Sequence, residues 1–160
     1  VTAQAGRTAS LRAPVSATGG AYGGGSVAVY GRDRVEVLTT LDADGGGGDG
    51  DGGTITARGA AVWVDGATLR ARGASGGGGG EVTIEACELD ISRTAALDTL
   101  RAGGHNLLIV HGDATVAGTL DAGDHNELRY LAAPPTIDPG ARLRPAPTLV
   151  ADPGLATCPA

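Results

Sequence analysis

Apolar residues in this chain recur two apart in short runs, and the runs themselves recur at a near-constant spacing. Three segments overlay: SVAVYGRDRVEVLTTLDADGGGGDGDGG from Ser26, TITARGAAVWVDGATLRARGASGGGGG from Thr54 and EVTIEACELDISRTAALDTLRAGG from Glu81. Each is a set of β-type runs ending in a glycine-rich corner. Allowing gaps of one or two residues, the inward positions form columns: Val27, Ile55, Val82 and Leu108, then Val29, Ala57, Ile84 and Val110. A second strand aligns Val35, Val62, Leu89 and Ala114 beside Val37, Val64, Ile91 and Val116, and a third aligns Leu41, Leu69, Leu97 and Leu120. Alternation with period two is the mark of a half-buried strand. A repeat of roughly 20 to 30 residues is the mark of stacked units.

Three faces with inward positions at fixed offsets predict an all-β chain wound as a right-handed parallel β-helix, each strand pairing with its equivalent one turn later. Val1, Ala9, Leu11 and Val15 extend the pattern before Ser26, and Ile137 and Leu143 extend it at the far end. The expectation is about six coils, a stub roughly 29 Å tall at the inter-strand spacing. An antiparallel sandwich also uses short strands, but hairpins do not require equivalent residues to recur at one period. The tracts TGGAYGGG, DGGGGDGDGG and GASGGGGG also admit close-packed polyproline-II strands, although they are short and lie between β segments.

The two ends differ. Of eight prolines, only Pro14 lies outside the C-terminal stretch that holds Pro134, Pro135, Pro139, Pro145, Pro147, Pro153 and Pro159. Proline donates nothing to a ladder, so residues 146–160 read as a Pro-rich cap on a solenoid of residues 1–145. The N-terminal edge has no such device. A start at Val1 points to a processed chain or a piece of a longer one, and an open edge there invites stacking.

Composition narrows the chemistry. With no Phe or Met, one Trp and three Tyr, the interior has to be filled by Val, Leu, Ile and Ala, which suits a narrow stack of repeated layers. The net charge is -6, and all twelve basic residues are arginine. That balance argues against nucleic acid and against an anionic membrane surface, and no apolar run approaches a membrane span. Cys87 and Cys158 match no metal spacing; a disulfide pinning the tail to an earlier layer and a pair of buried thiols both remain open.

Candidate sites lie on the outward columns. Tyr30, Arg58, Glu85 and His111 form one, and Arg58, Glu85 and His111 are the candidate catalytic set, against the alternative that stacked charges only specify register. Asp42, Arg70, Asp98 and Asp121 form another. Asp42, Asp44, Asp49 and Asp51 bracket a glycine loop whose oxygens suit calcium, although no established calcium-loop pattern is matched. His105–Asn106 and His125–Asn126 repeat a His-Asn pair that, with Asp124, would suit a transition metal; the competing reading is equivalent turn positions. Trp63, outward between Glu36 and Asp90, is a candidate binding residue for a sugar or a partner.

The succession VLTTLDADGGGG, DGATLRARGASGGGGG and VAGTLDAGD resembles the glycine-rich right-handed β-helix repeats of bacterial secreted and surface proteins, including filamentous-haemagglutinin-like adhesins. The resemblance spans nearly the whole chain and carries no fixed catalytic residues. It implies an extracellular or cell-surface setting. The expected role is a non-enzymatic structural or adhesive module, self-associating into a fibre or meeting other surface proteins, with no cofactor beyond calcium. The second expectation is a polysaccharide-binding or polysaccharide-cleaving β-helix acting on an outer strand face.

Overall fold

The computed structural model describes residues 1–20 and 22–158; Ala21, Pro159 and Ala160 lie outside the described residues. The chain is a parallel β-solenoid with no helix among those residues. The first coil holds β1 (Thr2–Ala5), β2 (Thr8–Leu11) and β3 (Val15–Ser16), and the second β4 (Ser26–Gly31), β5 (Arg34–Val37) and β6 (Leu41–Asp42). In the third and fourth coils, the first two faces fuse into single long strands, β7 (Thr54–Val64) and β9 (Glu81–Ile91), followed by β8 (Thr68–Arg70) and β10 (Ala96–Thr99). The fifth has β11 (His105–Val110), β12 (Ala114–Val116) and β13 (Thr119–Ala122), and the sixth β14 (His125–Tyr130), β15 (Thr136–Ile137) and β16 (Arg142–Arg144). A last strand, β17 (Thr148–Ala151), opens a further rung.

Every pairing is parallel. The first face runs β1-β4-β7-β9-β11-β14-β17, and the third is a separate six-stranded sheet, β16-β13-β10-β8-β6-β3. Six rungs on that third face correspond to about five full turns between first and last. The second and third inward columns fall in the expected register: Val35 against Val62, Val62 against Leu89, Leu89 against Ala114, and Leu41, Leu69, Leu97 and Leu120 in one line. All of these except Ala114 are buried, and the core they form is entirely Val, Leu, Ile and Ala.

One expected register is corrected. Val82 pairs with Asn106 rather than Leu108, and Leu108 pairs with Ile84, so Val110 faces Ala86. The displaced inward place belongs to Asn106, and Asn126 follows it one rung on. Both amides are fully buried. They satisfy one another: Asn106 Nδ2 donates to Asn126 Oδ1 at 2.8 Å, and Asn126 Nδ2 donates to Pro145 O at 2.7 Å. The His-Asn pairs therefore open strands β11 and β14 and are not turn positions, which corrects that reading as well.

The glycine tracts form loops stacked on one edge. Each closes its own neck by a backbone bond, from Gly25 N to Ala17 O, Gly53 N to Ala43 O and Gly80 N to Ala71 O, at 2.7, 2.7 and 2.8 Å. Adjacent loops also bond to one another, as in Gly19 N to Asp44 O and Gly45 N to Arg72 O at 3.0 and 2.8 Å. At the neck the layers touch through bare backbone. A Cβ on Gly53 would land well inside contact distance of the Gly25 carbonyl oxygen. Beyond residue 145 the chain adds β17 to β14 between Pro147 and Pro153, so the Pro-rich segment contributes a strand before pairing stops.

Candidate functional site

Where the first face passes into the second, at the end of β4 and within β7 and β9, the residues are Gly31, Gly59 and Ala86. Their small size leaves a groove across the outside of the coils, with a cavity volume of about 590 Å³. The outward row beside it runs Gln4, Tyr30, Arg58, Glu85, each paired in register with the next. At the inter-strand spacing that row is about 14 Å long. Tyr30 keeps 37% of its surface exposed.

His111 does not belong to that row: Glu85 pairs with Ile109, a correction of the expected column. Its imidazole still reaches across. His111 Nε2 lies 3.2 Å from Glu85 Oε1, and Arg58 Nη2 lies 3.0 Å from the same oxygen. Glu85 Oε2 takes no hydrogen bond among the described residues. The three candidate residues Arg58, Glu85 and His111 are thus brought together, and all three line the groove.

The far wall is the C-terminal tail. Cys87 and Cys158 are joined in a disulfide. Ala156, Thr157 and Cys158 line the groove, and Ala156 O lies 2.7 Å from His111 Nδ1. A carbonyl only accepts, so Nδ1 is the donor there. Sequence reasoning missed this wall, together with Gln4 and Arg32 on the rim. Small residues at equivalent places, Ala5, Gly31, Gly59 and Ala86, were the signal for the bend.

The acidic loop is organised differently. Asp42 Oδ2 takes Arg70 Nη2 at 2.7 Å, and Asp44 Oδ1 accepts the Arg72 backbone N–H at 2.7 Å. Arg70 Nε approaches Asp44 Oδ2 at 2.7 Å as an ion pair without aligning its N–H along that line. Asp51 Oδ1 caps the Gly78 N–H at 2.7 Å, and Asp49 lies at the loop tip beside Gly76. Burial raises the Asp44 carboxyl above the ordinary aspartate value despite the Arg72 N–H that opposes it. Arg72 pairs in turn with Asp98, which raises the guanidinium's value further. Asp42, Asp44 and Asp51 bond groups of the neighbouring layer, and with Asp49 at the tip the four carboxylates are spread over the loop stack.

His105 and His125 do stack in register, with ring centroids 5.1 Å apart and planes within 2°. His105 Nε2 faces Glu81 at 3.3 Å and His125 Nδ1 faces Asp124 at 3.1 Å. Among the described residues, no three His, Cys, Asp or Glu side chains converge as a metal site. Trp63 is half-buried, and one face of its ring carries the Arg34 guanidinium 3.9 Å from the centroid, a cation–π contact.

No family model, curated protein or solved structure matches the chain. What stands of the resemblance is a parallel β-solenoid of about five turns.

Proposed function

We propose that this chain is an extracellular β-solenoid binding module that holds an extended polysaccharide in the groove over Gln4, Tyr30, Arg58, Glu85 and His111 without cleaving it. The observation that carries this reading is the convergence of an exposed aromatic ring, a guanidinium and a carboxylate with a free oxygen along one row. An aromatic face stacks on sugar C–H surfaces, and paired donors and acceptors take adjacent hydroxyls. The row advances by about 4.8 Å per rung, close to the advance of a glycan chain per ring. The rigid ladder fixes those side chains before any ligand arrives, which lowers the ordering cost of binding.

Binding is favoured over hydrolysis by the inventory of acids. Glycoside hydrolysis ordinarily uses two carboxylates roughly 5 to 9.5 Å apart. Among the described residues, Glu85 is the one carboxylate residue lining the groove. The Cys87–Cys158 bond supports an oxidising setting outside the cytosol.

The test is affinity electrophoresis and calorimetry against soluble neutral and uronate-containing polysaccharides, with reducing-end release followed in parallel. Retardation by at least one polymer, weakened about tenfold in Tyr30→Ala and in Glu85→Gln with no release of reducing ends, is the expected result; tenfold corresponds to about 1.4 kcal/mol. Retardation unchanged in both variants would overturn the groove as the site. Reducing ends released by the wild type and lost in Glu85→Gln would replace binding with catalysis.

A further inference from the structure

We propose that the Cys87–Cys158 disulfide is a redox latch that builds the groove's end wall, so that the oxidised chain is the binding-competent form; this rests on the groove being the binding site. After β17, pairing with the sixth coil ends at the bond from Asp152 N to Tyr130 O. A turn follows, in which Leu155 N donates to Asp152 O at 3.2 Å and Gly154 N to Asp152 Oδ1 at 3.0 Å. The chain then doubles back along the outside of the solenoid to Cys87 on β9, three rungs earlier on the first-face path. On the way it passes His111 and takes that ring's Nδ1 hydrogen on Ala156 O.

Beyond Leu155 the tail has two attachments among the described residues: this hydrogen bond and the disulfide. Ala156 and Thr157 are exposed on their outer side, while Cys158 and Cys87 are half-buried. Gly112 lets the backbone of the next layer approach Cys87 closely, since a Cβ there would lie 2.7 Å from Cys87 O. One hydrogen bond does not offset the conformational entropy of ordering three residues, so the covalent bond is what keeps the wall in place.

Opening the latch takes an external dithiol. Its thiolate attacks one sulfur of the bridge, the mixed disulfide resolves as the dithiol closes to its own ring, and two electrons and two protons end on Cys87 and Cys158 as thiols. The tail then leaves the groove. His111 loses the acceptor on Nδ1, and the imidazole is no longer held against Glu85 from behind.

Backbone 15N relaxation of the oxidised and dithiothreitol-reduced wild type tests the latch without any ligand. Order parameters of residues 156–158 are expected to fall from rigid values to below about 0.6 after reduction, with β7 and β9 unchanged. The same two forms, and Cys158→Ser without reductant, are then run on the polysaccharide that the oxidised chain retards, with at least a tenfold loss of affinity expected. Equal tail order parameters in the two forms overturn the latch. Affinity unchanged or raised on reduction overturns the tail's role as a wall. If the oxidised chain retards no polysaccharide while the tail still loosens on reduction, the binding reading fails and the latch stands as a conformational device.

Discussion

Replacing Asn126 by leucine puts the buried amide ladder to a quantitative test. Asn126 is fully buried and makes two good hydrogen bonds, to Asn106 and to Pro145 O. Leucine keeps much of the shape but leaves the buried Asn106 Nδ2 without a partner and removes the donor from the carbonyl of the exposed Pro145. The stranded buried donor costs about 2 kcal/mol and the lost bond to a hydratable carbonyl about 1 kcal/mol. Burying a leucine in a column already built from Val27, Ile55 and Val82 returns about 2 kcal/mol. The net expectation is a loss of about 1 kcal/mol. Asn106→Leu combined with Asn126→Leu removes both ends of the Nδ2 to Oδ1 bond, so the stranded donor disappears. The double variant is expected to be less destabilised than the sum of the singles by about 1–3 kcal/mol. Urea denaturation followed by far-ultraviolet circular dichroism, with unchanged m-values, measures all four corners of the cycle. Singles that cost nothing, or a double variant additive to within about 0.5 kcal/mol, would refute the argument that mutual satisfaction is what admits two amides to an aliphatic core.

Two further perturbations address the glycine edge. Gly53→Ala drives a methyl into the Gly25 carbonyl of the layer below, an overpacking worth roughly 1–3 kcal/mol, whereas Gly47→Ala, with open space around its position, is expected to stay within about 0.5 kcal/mol; thermal melts of the two variants make the comparison. Asp44 tests the pH response. Its pKa is raised above 3.8 by burial, so the protonated form is favoured in the native state, and the contribution to stability is fully present below 3.8 and lost as pH rises through the native value. Asp44→Asn, which keeps an acceptor for Arg72 N–H, is expected to gain stability relative to the wild type across that window and to hold the advantage at neutral pH, read from denaturation midpoints at a series of pH values.

The solenoid was legible because its strongest constraint is local. Pairs such as Val35 with Val37 and Val62 with Val64 repeat two apart at one period, and a one-residue slip from the observed register would turn them outward. The slip in the fifth coil has a single cause. Asn106 occupies an inward place, and its partner, Asn126, lies on another coil. No pattern of apolar residues predicts a polar one whose satisfaction comes from the next layer. The same two-residue slip moved His111 into the row of Glu85; in the structure it is side-chain reach, not register, that joins them. Arg58 and Glu85 were aligned correctly as outward neighbours, but the groove that gives them a shared surface depends on the bend within β7 and β9 and on a tail that returns across three rungs. Both are tertiary features.

The fusion of two faces into β7 and β9 also sets how the molecule loses structure. Each rung's backbone ladder pairs only with the one above and the one below, so ladder stability is a sum of neighbour terms along the axis. The longest and most continuous interface, Thr54–Val64 against Glu81–Ile91, sits in the middle of the stack. Outer rungs, whose strands are broken at the bend, open at lower free energy. Melting therefore proceeds from both ends toward a central pair of coils, and Cys87 lies on that pair. The covalent bond to Cys158 anchors the terminal segment in the part of the chain that opens last.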